Sequence, residues 1–299
     1  MSMRKNAVRV AGFILIAASV WYVGHNLYRN RGQMPVIDLR LVAGMTVLSV
    51  AYFVGNIGRA VNWKIILEIL TGRTLRFRSF LGIYLKTEIV KYVPSNIMHF
   101  AGRHLLCREN GVSHRAALGS NIADMAFILA AAALATVPSF FVASEFPVYA
   151  VVSRVRDHSL PVVIAAGCFI LAMAVVIWIK RRLVRRFLRV GIVSRAFAVL
   201  SLDTAIVILN GLIFFSAIVM FSAQSHAGTP WWMVCSLYAL CWMAGFVVPG
   251  SPGGLGVREA LIVLVFGGVY PDAAALAILM RVVSIAGDAL ALLAGCGMR

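Results

Sequence analysis

Apolar runs of about 20 residues recur along the chain, separated by short polar or charged breaks, and a helix of that length crosses ~30 Å of hydrocarbon. The pattern predicts full spans over Val8 to Tyr28, Leu41 to Val61, Ala116 to Phe141, Leu160 to Ile179, Leu200 to Ala223 and Ala273 to Gly295. Two further stretches are apolar but broken. Ser79 to Glu109 carries Lys86, Glu88, Lys91, Arg103 and Arg108 around Pro94, and Trp231 to Gly268 is interrupted at VVPGSPGGLGVRE, Val247 to Glu259. Proline lacks an N–H and its ring clashes with the preceding turn, so each stretch reads as two short helices joined by a breaker. Irregular backbone at membrane depth survives only where protein or water covers it. The expected fold is an all-α polytopic membrane protein with about six transmembrane helices and two re-entrant broken-helix hairpins, forming a single transmembrane domain over residues 1–299.

The two broken stretches match each other. Placing Pro94 on Pro249 puts Arg103 on Arg258, and a two-residue insertion then places Gly111-Val112 on Gly268-Val269, Ala116-Ala117 on Ala273-Ala274 and Asp124 on Arg281. The competing explanation is chance alignment of apolar sequence. Taken as a repeat, the halves cover about 8–143 and 158–297, each with two spans, a hairpin and a third span. Three crossings is an odd number, so the second copy is inverted relative to the first. The hairpin tips then face each other near the midplane, the arrangement in which many transporters hold substrate.

Composition supports lipid as the solvent: 61% of the 299 residues are hydrophobic, 13% are charged and the mean hydropathy is +0.90. The net charge of +17 raises nucleic acid as a partner, but no soluble domain remains between the spans to present a basic face, so nucleic acid is excluded. Membrane lipids with anionic or phosphate-containing headgroups are the better partner for Lys180, Arg181, Arg182, Arg185, Arg186, Arg189 and Arg195, which lie against a span,. The plainer reading of that cluster is a topology signal. Lys and Arg collect on the cytoplasmic side of short loops, which places both termini in the cytoplasm, with only Arg29, Arg31 and Arg40 disagreeing. A bacterial or archaeal cell (inner) membrane is the expected location. A cleaved signal peptide is rejected because this charge pattern works with the first span retained. The five cysteines lack a CxxC and read as small core residues, and the six histidines offer no close ligand spacing beyond a loose His99 and His104. No metal and no cofactor are expected.

The strongest local signal is Pro249-Gly250-Ser251-Pro252-Gly253-Gly254-Leu255-Gly256-Val257-Arg258-Glu259. Gly253, Gly254 and Gly256 remove side chains where a helix begins, leaving N–H groups and a positive dipole end for an anion, and Arg258 can add a forked contact to phosphate. The competing reading is a structural elbow with Arg258 paired to Glu259 or to the first hairpin. Charges inside spans each cost ~2.5–3.5 kcal/mol on insertion scales and so face partners or a wet cavity. Asp124 and Arg281 are expected to bridge, with Asp288 two turns from Arg281 on the same face. Arg59 forms a polar stripe with Asn56 and Asn62, read either as a substrate contact or as a side chain snorkelling to headgroups. Glu88 and Lys91 are expected to neutralise each other, and Asp203 to be solvated. Asn96, beside Ser95 in the first breaker, completes the candidate substrate-binding set of Arg59, Glu88, Lys91, Asn96, Arg103, Asp124, Gly253, Gly254, Gly256, Arg258, Glu259 and Arg281.

The PGSPGGLGVRE stretch, together with KYVPSNIMHFAGRHLLCRENGVSHRAALGSNIADMAF from Lys91 to Phe127, resembles the lysylphosphatidylglycerol synthase transmembrane-region family, whose relatives include the flippase domains of multiple-peptide-resistance proteins. The resemblance covers nearly the whole chain from about Leu41, without the soluble synthase domain. It implies a lipid-handling membrane protein, in some relatives one that moves an aminoacylated phospholipid. The chain departs from the family pattern where Met125, rather than arginine, follows Asp124, and where Ser95-Asn96 stand in place of a glycine. The leading expectation is a flippase or scramblase moving an anionic or aminoacylated phospholipid or a polyprenyl-phosphate-linked lipid between leaflets. A homo-oligomer and a separate lipid-modifying enzyme are the further partners considered. The alternatives are a membrane-embedded enzyme or glycosyltransferase partner acting on a lipid-linked substrate, and a structural scaffold. No nucleophile, base and orienter trio, metal cluster or nucleotide loop supports catalysis, so the chain is not expected to be an enzyme.

Overall fold

The computed structural model describes residues 38–92, 98–141, 190–222, 229–248 and 252–298, together with Trp21, His25 and Tyr28. Of these, 88% are helical and none is in a strand. Eight helices run in order: α1 Leu39–Thr71, α2 Phe77–Glu88, α3 Met98–Glu109, α4 His114–Thr136, α5 Val190–Phe221, α6 Trp231–Val247, α7 Val257–Phe266 and α8 Ala273–Cys296. Long helix, two short helices and long helix thus follow one another twice. The breaker of the first short pair includes the 3-10 turn Ile89–Tyr92, and that of the second includes Pro252–Gly254.

Four of the helical segments are long and apolar enough to cross a membrane, namely α1, His114–Ser139, Gly191–Phe221 and α8, which is compatible with a multi-pass membrane protein. The expected spans Val8 to Tyr28 and Leu160 to Ile179 and the basic residues from Lys180 to Arg189 fall outside the described elements. Two expected boundaries are corrected. Helix α1 continues past Val61 because its next turns are not a loop: Trp63, Ile66 and Leu67 are buried, Trp63 against Phe80 and Tyr84 of α2, while Lys64 and Glu68 pair at 2.6 Å one turn apart,. Gly72, at φ 68°, ends it in the left-handed conformation that glycine adopts without strain,. Helix α5 begins at Val190 rather than near Leu200, so Arg195 sits within the helix and not in the preceding basic cluster.

Helix α1 packs against α5, α8, α4 and α2, and α5 in turn packs against α6 and α4, so these two helices hold the bundle together. One apolar core joins α5 to α8 through Phe214, which stacks on Tyr238 and meets Phe266 edge-on, with Ile218, Met233, Leu237 and Ala277 around them. A second joins α1, α2 and the ends of α3, α4 and α8 around Trp63, Tyr84, Leu85 and Cys107. Cys107, Cys235 and Cys241 are buried core residues, but Cys296 is exposed where α8 ends, against expectation; Cys168 lies outside the described residues.

Small residues let backbones meet, the usual source of helix affinity in lipid, where apolar burial alone offers little. At Gly211 of α5 an added Cβ lies 2.6 Å from the Cα of Cys235 on α6, closer than any side chain tolerates. Gly211→Ala therefore pushes α5 and α6 apart and lowers stability by roughly 1–3 kcal/mol, more than the helix propensity alanine adds. Gly191→Ala, where nothing lies within 4 Å, leaves the melting temperature in detergent unchanged or slightly raised. Equal melting temperatures for the two variants would remove this packing account.

Candidate functional site

Helices α1 to α8 line a partly open cavity of about 100 Å³ where the two short-helix pairs come together. Arg59, Glu88, Lys91, Arg103, Asp124, Arg258 and Arg281 all line it, with Gly253 and Gly254 at one edge. Of the sequence-predicted residues, Gly256 and Glu259 stand directly behind this lining, and Asn96 falls outside the described residues.

On one side the charges form a continuous network. Arg59 of α1 forks across two carboxylates: its Nη2 donates to Asp124 Oδ2 of α4 at 3.0 Å and its Nη1 to Asp203 Oδ1 of α5 at 3.0 Å. The other polar residues of its stripe take structural partners. Asn62 Nδ2 donates to the same Asp203 oxygen at 2.8 Å and to the carbonyl of Val199 at 3.0 Å, while Asn56 Nδ2 donates to Asp288 Oδ1 at 2.9 Å. Asp203 is fully buried, which corrects its expected solvation; α5 starts nearly three turns earlier than expected, so Asp203 lies well inside the helix, against α1,. Arg59 does not snorkel, because two carboxylates hold its guanidinium inside the bundle.

Arg103 of α3, only 1% exposed, reaches Asp124 Oδ2 at 3.4 Å, Thr87 Oγ1 at 3.2 Å and Glu88 Oε2, with its guanidinium 3.6 Å above the ring of Tyr84. A planar cation over an aromatic face gains electrostatic attraction in addition to its hydrogen bonds. Lys91 pairs with Glu88 at 3.0 Å, as expected, and also with Asp288 of α8 at 2.9 Å. Asp288 further accepts the Tyr92 hydroxyl at 2.6 Å, so the first breaker is tied to both α8 and, through Asn56, to α1.

On the other side, Gly253, Gly254 and Gly256 take φ of 56°, 74° and 83° and turn the chain sharply into α7. Glu259 Oε2 accepts the Gly256 N–H at 2.7 Å, and its Oε1 faces Arg258 at 3.4 Å and Arg281 at 3.5 Å. Arg281 also donates to the Gly253 carbonyl at 2.9 Å and lies over the Tyr92 ring. The ring of Tyr92 packs against Gly253, so the two breakers touch. Arg258 is 5% exposed and its Nε has no hydrogen-bond partner among the described residues.

The expected Asp124–Arg281 bridge is not formed. Asp124 is taken by Arg59 and Arg103, and Arg281 by Glu259 and the Gly253 carbonyl, although both side chains border the cavity. Repeat alignment puts two residues at equivalent positions without bringing them into contact. Reading the sequence for charges alone missed Tyr52, Tyr84, Tyr92 and Thr87. Tyr84 stands one turn before Glu88 on α2, Thr87 directly precedes Glu88 and Tyr92 adjoins Lys91, and this spacing is the sequence signal for them. Among the described residues no group of three or more His, Cys, Asp or Glu side chains is placed to hold a metal ion. A comparison with protein-family models finds no match, and a comparison with curated proteins finds none either.

Removing one partner from a buried pair strands the other charge, at a cost of roughly 3–5 kcal/mol. Arg59→Ala and Asp124→Ala should each destabilise the protein by about that amount, with the double variant far less destabilised than the sum. The same cycle on Asp124 and Arg281 should be additive. Melting in detergent measures both cycles, and coupling between Asp124 and Arg281 equal to that between Asp124 and Arg59 would contradict the observed pairing.

Proposed function

We propose that the protein moves phosphate-bearing lipids between membrane leaflets, with the cavity holding the headgroup while the acyl or prenyl chains stay in the bilayer. The observation that carries this reading is the cavity itself: five cationic side chains line a space bounded by four helices suited to crossing a membrane. Ionisable groups in such surroundings are costly and mark ligand or ion pathways. Arg258 and Arg281 are the phosphate contacts. They stand beside the glycine turn that opens α7, where backbone N–H groups and the helix dipole add to the attraction for an anion.

The twofold order of long helix, short pair and long helix supports an inverted repeat with re-entrant hairpins, and the contact between Tyr92 and Gly253 is where their tips meet. The resemblance of PGSPGGLGVRE and of Lys91 to Phe127 to the lysylphosphatidylglycerol synthase transmembrane region agrees with a lipid substrate. In this reading the protein resides in a bacterial or archaeal inner membrane, with both termini cytoplasmic and no catalytic step of its own.

Topology is tested by single cysteines in a cysteine-free background. Those at Gly32 and Gln224 should react with an impermeant reagent from outside, and one at Arg185 only from the cytoplasm; labelling of Gln224 from the cytoplasm alone would remove the inverted arrangement.

The headgroup contact is tested at Arg258. Lysine keeps the charge but loses the planar fork that meets two phosphate oxygens, and a charge-assisted hydrogen bond is worth ~1.5–3 kcal/mol, or about tenfold or more in rate. Arg258→Lys should melt normally yet translocate a fluorescent lipid roughly tenfold more slowly in reconstituted vesicles, and Arg258→Ala more slowly still. Unchanged transport per folded molecule with a lowered melting temperature would instead make Arg258 a fastening of the elbow.

A further inference from the structure

An amide buried among helices is costly unless it is bonded, and the asparagines among the described residues follow that rule with one exception. Asn56 donates to Asp288, Asn62 to Asp203 and Val199, Asn110 to Leu106, and Asn121 to Phe100. Asn210 makes no hydrogen bond among the described residues. It stands well inside α5, in a segment apolar enough to cross a membrane. Helical spacing puts it on the same face as Asp203, Ile206 and Val207, which precede it by seven, four and three residues,. Ile206, Val207 and Asn210 line the cavity, and Asp203 holds Arg59 beside them.

A second neutral group faces the same space. Tyr52 of α1 lines the cavity, and its hydroxyl makes no hydrogen bond among the described residues. Helices α1 and α5 run antiparallel, with Gly44 meeting Phe221 and Gly55 meeting Ile206 and Leu209, so Tyr52 stands level with Asn210. Both side chains are half-buried, and neither polar tip is sealed from the surface. The carboxylates bordering the cavity are already engaged, Asp124 by Arg59 and Arg103 and Glu88 by Lys91 and Arg103. What Tyr52 and Asn210 add is uncharged: a hydroxyl and an amide, each able to donate and to accept.

From this placement we infer that Tyr52 and Asn210 form a neutral subsite that binds a hydroxyl on the alcohol esterified to the headgroup phosphate. The inference rests on the reading of the cavity as a headgroup site and narrows its substrates to lipids whose phosphate carries a polyol. The two residues set specificity, because a site that hydrogen-bonds a hydroxyl leaves its own polar groups unpaired against an analogue without one.

The experiment uses the wild-type protein in vesicles with two fluorescent-tailed lipids of identical chains and charge, one with a phosphoglycerol and one with a phosphopropanol headgroup. The phosphoglycerol lipid should cross roughly tenfold faster, the size expected from one or two hydrogen bonds. Equal rates overturn the hydroxyl contact while leaving lipid translocation standing. Tyr52→Phe removes one oxygen, and Asn210→Leu replaces the amide by an apolar group of similar size. Each should slow phosphoglycerol several-fold and leave phosphopropanol unchanged; a preference kept in full by either folded variant, or an equal slowing of both lipids, overturns the subsite. Asn210→Leu should melt in detergent at the wild-type temperature or above, because it removes an unpartnered amide from a span. A lower melting temperature, or failure to fold, means that the amide is bonded within the protein and ends the inference. If no lipid crosses, the translocation reading falls and binding decides the headgroup question: soluble glycerol 3-phosphate should raise the melting temperature more than propyl phosphate does, and equal rises, or none, end the inference as well.

Discussion

An isolated charge in apolar surroundings is so costly that every buried charge in this bundle dictates where a neighbour must stand. Asp288 shows the constraint most plainly. It is fully buried on α8 and collects Asn56 from α1 and Lys91 and Tyr92 from the first breaker. Remove that carboxylate and Lys91 keeps only Glu88, Tyr92 loses the anchor of its hydroxyl, and the breaker is no longer tied to α8 by hydrogen bonds. Arg59 has the same standing between α4 and α5. The bundle is thus joined twice over: by apolar cores and small-residue crossings around its outside, and by ion pairs within.

Those ion pairs are not the most economical way to hold helices together. Well-packed apolar side chains of the same volume serve as well or better, because ion pairs recover by attraction only part of what desolvation costs. Five cations and five carboxylates gathered around one cavity are therefore a costly form of cohesion. Under the proposed function, a phosphate entering beside Arg258 would compete with Glu259 for the same guanidinium, and its departure would restore the pair.

How much of this was legible in the sequence depended on whether the information was local. Apolar runs located α1, α4, α5 and α8 because a span must be about 20 residues long whatever surrounds it, while Pro94 marked the first breaker and glycine with proline the second, because proline fixes its own backbone and glycine frees it,. The ends of α1 and α5 were misplaced for the converse reason: Trp63 and Leu67 continue the helix through tertiary burial against α2, which hydropathy along one chain does not contain. Charged candidates could be picked out because a buried charge stands out in an apolar run, and seven of them line the cavity: Arg59, Glu88, Lys91, Arg103, Asp124, Arg258 and Arg281. Their pairing was not legible. Asp124 and Arg281 take matching places when the two broken stretches are aligned in sequence, but contact across the bundle is settled by which helices cross.

The same distinction explains why the tyrosines escaped notice and why they matter. Tyrosine is ordinary in an apolar sequence, yet Tyr84 lies beneath Arg103 and Tyr92 lies beneath Arg281 while bonding Asp288. An aromatic face attracts a cation without a charge of its own, so it holds an arginine in place without neutralising it. Arg103 and Arg281 are thus held both by carboxylates that pair with them and by the rings beneath them. Tyr92 carries this furthest: its ring contacts Arg281 and Gly253 and its hydroxyl contacts Asp288. The contact between the two breakers and the placing of Arg281 are therefore set by the same side chain.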